Sequence, residues 1–124
     1  MNVASRRFAD ASVLRVEGRL DQDTCVAFTT VLMKSVDMAA AEGGAVVLDL
    51  SGLEYISSAG LRCFMLASRQ AKAQHAKIAV SALQPMVAEI FQISHFNLVF
   101  QVFPTVREAL AAVSGTAAAV FDKG

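Results

Sequence analysis

Two adjacent hydroxyl side chains, Ser57 and Ser58, lie where an apolar segment ends and a helical pattern begins, in LDLSGLEYISSAGLRCF. The first N–H groups of a helix have no intrahelical partner and carry the positive end of its dipole, so they favour an oxygen or an anion. A serine here is in the simplest case a helix cap. Phosphorylated, it would bring roughly −1.5 to −2 charge, and Arg62 lies four residues after Ser58, within pairing reach on a helix.

Catalytic alternatives have weaker signals in this sequence. Ser58 lacks the Gly-x-Ser-x-Gly elbow of a hydrolase, and His75 and His95 have no spacing that indicates a triad or a metal site. We therefore expect surface histidines, no catalytic residues, no metal, no cofactor and no enzyme activity. Cys25 and Cys63 also lack metal-ligand spacing, and we interpret them as reduced thiols in the core.

The composition indicates one compact domain that chooses its partners locally. The chain has 124 residues, of which 55% are hydrophobic, and its eleven basic and eleven acidic side chains cancel. No overall field draws it to nucleic acid or to an anionic membrane. Every apolar run is shorter than the roughly 18 residues that span a bilayer, and the first residues do not resemble a signal peptide. We expect a cytoplasmic protein without membrane insertion.

Hydrophobic periodicity predicts strands and helices in a regular order. An alternating strand at 12–18 follows a weaker one at 3–8, and the continuous apolar run at 45–50 is typical of a central strand. Capping signals place a helix start at Pro85 and another at Thr105, with Glu108 at capping-box spacing. The predicted strands are 3–8, 12–18, 45–50, 77–82 and 98–102; the helices are 22–41, a second from about 58, a third from 85 and a fourth at 105–113, with a flexible tail at 114–124.

This order predicts an α/β domain, with a mixed sheet of about five strands that starts as a β-hairpin and about four helices. Functional loops in such sheets lie at the carboxyl ends of the parallel strands. The segment Ser51–Ser57, which we predict to be a loop, follows the most central strand and precedes a helix. The serine pair therefore occupies the edge where this architecture usually places a site.

The segment VVLDLSGLEYISSAGLRCF resembles the signature of the STAS domain, the family of bacterial anti-sigma factor antagonists. In that signature a buried strand ends in Asp-Leu-Ser, an aromatic or apolar pair follows, and a Ser/Thr-containing segment leads to Gly-Leu at the start of a helix. Gly18-Arg19-Leu20-Asp21 also resembles the family's Gly-x-Leu-Asp after the second strand, and the similarity covers about residues 3–113. The resemblance implies a STAS domain at residues 1–113.

The resemblance also implies a function that is switched by phosphate. Members bind an anti-sigma factor, often itself a serine kinase; phosphorylation of one serine stops the binding, and a serine phosphatase restores it. Aligning Gly60-Leu61 with the family's Gly-Leu makes Ser58 the phosphoacceptor. Ser57 then replaces the Asp of the best-known members and is the alternative acceptor, and Ala59 replaces a Ser or Thr.

The same alignment places Asp21 and Asp23 beside the serine segment, where they would contact the partner or its nucleotide-bound magnesium. An equally good reading is that both acids favour the dipole of the next helix. The residues expected to bind the partner are Asp21, Asp23, Ser57, Ser58, Ala59, Gly60, Leu61 and Arg62. We expect a monomer or weak dimer. An alternative function is a STAS module without phosphorylation, such as an accessory subunit of a lipid-transport ABC ATPase.

Overall fold

A computed structural model describes residues 1–123. The strands are β1 Asn2–Phe8, β2 Ala11–Leu20, β3 Ala45–Ile56, β4 Lys77–Ser81 and β5 Gln101–Phe103. The helices are α1 Cys25–Glu42, α2 Ser58–Ala73, α3 Pro85–Ile93, α4 Val106–Val113 and α5 Gly115–Lys123, and a short 3₁₀ helix spans Phe96–Leu98. None of these helices is both long and apolar enough to cross a membrane.

The five strands form one mixed sheet in the order β1-β2-β3-β4-β5. β1 pairs with β2 as an antiparallel hairpin, and the other neighbouring strands are parallel. This confirms the predicted α/β class, the initial hairpin and the central position of the strand that begins at Ala45. The last strand is shorter than predicted, because Phe96–Leu98 forms the 3₁₀ helix and β5 begins only at Gln101.

Helices cover both faces of the sheet. The helices that connect parallel strands, α1, α2 and α3, share one apolar core with β2, β3 and β4. A cluster of tilted and edge-to-face aromatic rings fills it, formed by Phe28, Phe64, Phe91, Phe96 and Phe100. The core on the opposite face contains residues of α4 and α5. Burial on both faces explains why β3 reads as a continuous apolar run.

The prediction of a loop at Ser51–Ser57 is wrong for most of that segment, because β3 continues to Ile56. β4 pairs with β3 only as far as Asp49, but β2 follows β3 to its end with two register shifts. Gly52 permits the close strand approach, since a Cβ there would lie 2.6 Å from Glu17 Cγ and 3.1 Å from Val16 O. β2 and β3 thus extend beyond β4 as a two-stranded ribbon.

The predicted flexible tail at 114–124 is instead helical over its described part. Helix α5 buries Ala117 and Ala118, and the Phe121 ring meets the Phe8 ring edge-to-face at a centroid distance of 5.2 Å. Arg107 Nε donates to Asp122 Oδ1 at 2.9 Å, and this hydrogen-bonded ion pair raises the pKa of Arg107. The tail prediction failed because small alanines give little periodic signal, although they pack well against a sheet. Gly124 lies outside the described residues.

The interpretation of the two cysteines as reduced thiols is also wrong for this structure. Cys25, the first residue of α1, forms a disulfide with Cys63 in α2, and their Cα atoms are 6.8 Å apart. The two residues are separated by 38 positions in the chain, so no local motif reveals the pair. They meet because α1 and α2 pack side by side on one face of the sheet.

Candidate functional site at the start of helix α2

Ser57 is the N-cap of α2. Its backbone is extended, with φ −90° and ψ 175°, and Gly60 N–H donates to its Oγ at 3.3 Å. Its own N–H donates to Leu20 O at 2.9 Å, and its carbonyl accepts from Leu61 N–H. The structure therefore uses Ser57 to satisfy one of the free donors of the helix and to join α2 to the end of β2.

Ser58 is the first residue of α2, and its side chain is exposed. Arg62, one helical turn later, is exposed as well. Residues four apart on a helix lie on the same face, so the guanidinium of Arg62 is within reach of an anion carried by Ser58. The helix contains no acidic residue in its first turn to oppose such an anion.

Gly60 allows the start of α2 to pack closely against the ends of β2 and β3. A Cβ at Gly60 would lie 2.8 Å from Ile56 Cγ1, 2.9 Å from Leu20 Cγ and 3.0 Å from Leu20 O. The glycine is buried, so it shapes the site without offering a side chain. Ala59 and Leu61 on either side are half-buried, and Leu61 packs against the core.

The two predicted acids lie in the turn between β2 and α1, and they differ in role. Asp21 Oδ1 accepts from the N–H groups of Asp23 at 3.0 Å and Thr24 at 3.3 Å, so it stabilises the turn before the helix. Asp23 is exposed. The bond from Ser57 N–H to Leu20 O shows that this turn lies beside the serine pair, as predicted.

The predicted partner-binding residues therefore come from two neighbouring segments, Asp21–Asp23 and Ser57–Arg62, at the carboxyl ends of β2 and β3. We call these residues the docking surface. Of the eight residues, Ser58, Asp23 and Arg62 are exposed, Asp21, Ser57, Ala59 and Leu61 are half-buried, and Gly60 is buried.

Sequence reasoning missed some features around this surface. Val26, in the first turn of α1, is 77% exposed, and Leu66 lies one turn beyond Arg62 and is 45% exposed. Single exposed apolar side chains are common on protein surfaces, so these two would join an interface only if a partner covers them. Near the ends of β2 and β3, the guanidinium of the exposed Arg19 lies over the Tyr55 ring, 4.5 Å from its centroid. The sequence did not show that Val26 and Leu66 are exposed, because apolar residues at helical spacing occur both in cores and at interfaces.

The histidines lie away from this surface. His75 follows the far end of α2, and sixteen residues of α-helix extend about 24 Å. His95 precedes the 3₁₀ helix, and both side chains are exposed, as predicted. Within residues 1–123, no group of three or more His, Cys, Asp or Glu side chains is arranged to hold a metal ion.

Residues 3–102 match the family model described as "Mlab, STAS domain". The match spans most of the chain: it includes all of β2, β3 and β4 and most of β1 and β5. The chain therefore belongs to the STAS domain family, as the signature and the order of elements predicted.

The relatives of the chain include named anti-sigma factor antagonists. BtrV of Bordetella bronchiseptica, which carries that name, is 46% identical over 72 residues, which are 58% of this chain and 61% of BtrV. An anti-sigma factor antagonist from Mycobacterium paratuberculosis has a similar structure, with a TM-score of 0.76 and 24% identity over 90% of this chain and 92% of that one.

The anti-sigma factor antagonist SpoIIAA is similar in two forms. Its unphosphorylated form gives a TM-score of 0.73 at 18% identity, over 92% of this chain and 97% of SpoIIAA. The phosphorylated form of the Bacillus protein gives 0.65 at 17% identity, over 90% and 98% of the two chains. At these identities the likeness establishes the shared fold.

Proposed function

We propose that this chain is an anti-sigma factor antagonist that is switched by phosphate. Its docking surface binds an anti-sigma factor that is also a serine kinase, phosphorylation of Ser58 by that kinase ends the binding, and a serine phosphatase restores it. The single observation that carries the proposal is the exposed hydroxyl of Ser58 at the first position of α2. The names of BtrV and of the mycobacterial protein support this class of partner.

The geometry favours Ser58 over Ser57 as the acceptor. The Oγ of Ser57 already accepts from Gly60 N–H, and its side chain is half-buried. A kinase would have to break this cap to reach it. Ser58 is exposed, so its Oγ is accessible to a kinase while the helix start stays intact.

A phosphate on Ser58 would be accommodated without rearrangement of the domain. It would lie near the N–H groups of the first turn, where the helix dipole favours an anion, and within reach of Arg62. A partner that packs over the same spot would have to desolvate this charge or be repelled by it. Since about 1.4 kcal/mol changes an affinity tenfold, a cost of a few kcal/mol ends the interaction.

The proposal describes a binding module that performs no turnover itself. It acts as a monomer or weak dimer without a cofactor, and its partners place it in the cytoplasm, where transcription is controlled. His75 follows the opposite end of α2 from Ser58, so it is not placed to act as a base for that hydroxyl. In this proposal the hydroxyl of Ser58 is the substrate of the kinase.

The test begins with the chain, the cognate kinase and ATP. We expect phosphate to map to Ser58 by tandem mass spectrometry. Ser58→Asp is expected to weaken binding to the anti-sigma factor, which binds the unphosphorylated chain, by at least about tenfold. Ser58→Ala is expected to retain this binding. Ser5→Asp is a matched control, because it adds the same charge at an exposed serine on the edge strand β1.

Equal affinity of the partner for Ser58→Asp and Ser58→Ala would remove the switch. If the chain instead captures an ABC ATPase with an affinity that does not change between these variants, the alternative module without phosphorylation is the correct one. Turnover of a small substrate that is lost in Ser58→Ala, with no binding partner affected, would indicate an enzyme.

A further inference from the structure

The disulfide between α1 and α2 lies directly beneath the docking surface. Cys25 is the residue after the turn that contains Asp21 and Asp23, and Cys63 is the residue after Arg62. The Sγ of Cys25 lies 3.6 Å from Ala59 O, the carbonyl next to Ser58. The bond therefore joins the two segments that form the docking surface, at a Cα separation of 6.8 Å that a disulfide can span.

We propose that Cys25 and Cys63 form a reversible thiol–disulfide switch that determines how firmly the two halves of the docking surface are held together. The proposal rests on the proposed function for its biological output, but its chemistry concerns this chain alone. In the oxidised state the start of α1 is fixed to α2. In the dithiol state the same segments lack the covalent link and are held by packing, by the pairing of β2 with β3 and by hydrogen bonds such as that from Ser57 N–H to Leu20 O.

The two cysteines differ in burial, and we assign them different roles in the switch. Cys25 is half-buried, whereas Cys63 is 1% exposed and its Sγ accepts a hydrogen bond from Thr29 Oγ1 at 2.9 Å. An external reagent therefore reaches Cys25 first. Cys63 is the resolving residue, because it is shielded from solvent yet adjacent to Cys25. This arrangement of one accessible and one sheltered thiol is typical of reversible redox pairs.

The oxidation balances with a low-molecular-weight disulfide such as oxidised glutathione. The Cys25 thiolate attacks one glutathione sulfur, the glutathione S–S bond breaks, and one glutathione thiol leaves. The Cys63 thiolate then attacks Cys25 Sγ in the mixed disulfide, and the second glutathione thiol leaves. The protein loses two protons and two electrons, and oxidised glutathione gains them. Excess reduced glutathione reverses both steps.

Oxidation is expected to order the docking surface. A cross-link between residues 38 apart restricts the unfolded chain and the local opening of the two helix starts. We expect the oxidised protein to unfold on the order of 10 °C higher than the dithiol form. We also expect backbone N–H exchange at 21–24 and 57–62 to be about tenfold slower. The partner should bind the oxidised form more tightly, because less ordering remains to be done on docking.

The experiment titrates the full chain through a series of glutathione redox buffers. Free thiols are trapped by alkylation under denaturing conditions and counted by intact mass, and hydrogen exchange and circular dichroism melting are recorded at each step. We expect a two-thiol transition that reverses with excess reduced glutathione, together with the changes in exchange and melting. A pair that stays fully reduced, or fully oxidised, at every ratio overturns the proposal.

The control variant is Cys25→Ser, since its side chain is half-buried and a hydroxyl is tolerated there; Cys25→Ala serves if the first variant does not fold. Either variant is expected to show the dithiol-form exchange rate and melting temperature at all redox ratios. Exchange at 57–62 that remains sensitive to oxidant in both variants, or that is equal in the two forms of the native chain, also overturns the proposal.

Ser58→Ala separates this proposal from the proposed function. It is expected to keep the full redox response while accepting no phosphate at position 58. If the redox response is intact but no anti-sigma factor binds either form, the proposed function fails and the thiol switch stands. If phosphate-dependent binding is intact but the thiols show no reversible transition, the thiol switch fails alone.

Discussion

At the scale of single residues, the two adjacent serines have separate tasks. Ser57 caps the helix start with its side chain and its backbone, whereas Ser58 is exposed and is the acceptor in the proposed function. From the sequence, a helix cap and a phosphoacceptor were alternative readings of the pair, and the resemblance, aligned on Gly60-Leu61, predicted Ser58 as the acceptor with Ser57 as the alternative. The sequence did not reveal the hydrogen bond from Gly60 N–H to Ser57 Oγ, which identifies Ser57 as the cap.

This division predicts opposite effects of two alanine substitutions. Ser57→Ala removes the cap and is expected to lower the free energy of unfolding by about 1 kcal/mol, while phosphate transfer to Ser58 continues. Ser58→Ala is expected to change stability by less than about 0.5 kcal/mol and to abolish the modification. Urea unfolding and kinase assays on both variants check this. The reverse pattern would make Ser57 the acceptor.

Gly60 is predicted to be irreplaceable for packing. In Gly60→Ala the new methyl group would clash with Ile56, Leu20 and the Leu20 carbonyl, so we expect a loss of about 1 to 3 kcal/mol of stability. Gly115→Ala is the matched control, because at this first residue of α5 no atom beyond the adjacent residues and the helix's own backbone lies within 4 Å of the Cβ position. Thermal unfolding of both variants tests the prediction; an equal change in the two would show that the contacts at Gly60 do not matter.

At the scale of elements, strong periodicity was a reliable guide and weak periodicity was not. The apolar stripe of α1 and the continuous run of β3 predicted both elements, because each buries large side chains against the sheet. The sequence did not predict the ribbon at Ser51–Ile56, where glycine and polar residues look like a loop. Pairing with β2, which is a contact distant in the chain, keeps this segment in a strand.

Helix α5 is the second element whose structure depends on tertiary contacts rather than on a periodic sequence pattern. Phe121→Ala removes the ring that meets Phe8, and we expect it to cost about 2 kcal/mol of unfolding free energy. Val120→Ala, at the neighbouring position that is 41% exposed, is expected to cost less than about 0.5 kcal/mol. Chemical denaturation of both proteins measures the difference. Equal and small effects would mean that α5 adds little to the fold.

At the scale of the whole molecule, the balance of eleven acidic and eleven basic side chains makes the proposed switch visible. Phosphorylation at Ser58 would change the net charge from zero to about −1.5 to −2 at neutral pH. We predict a clear acidic shift in isoelectric focusing with an unchanged far-ultraviolet circular dichroism spectrum. A loss of helical signal on phosphorylation would contradict the idea that the helix start holds the group without rearrangement.

The overall architecture was predictable from the sequence because the order of strands and helices restricts an α/β chain to few topologies. The same order predicted that the serine pair follows the carboxyl end of the central strand, and the structure has Ser57 and Ser58 directly after β3. The disulfide was not predictable, because it depends on the lateral packing of α1 against α2, and two cysteines 38 residues apart carry no sign of that neighbourhood.

The close approach of Gly60 to Leu20 and Ile56 has a kinetic consequence. In the disulfide-bonded structure the first turn of α2 packs against the ends of two strands, so a partner of the proposed function would meet a helix start that already has its final position. Such an encounter would not wait for a loop to fold, and little chain entropy would be lost when the complex forms. Under the proposed function, the lifetime of that complex would depend on the contacts at Ser58, and a phosphate added there would shorten it.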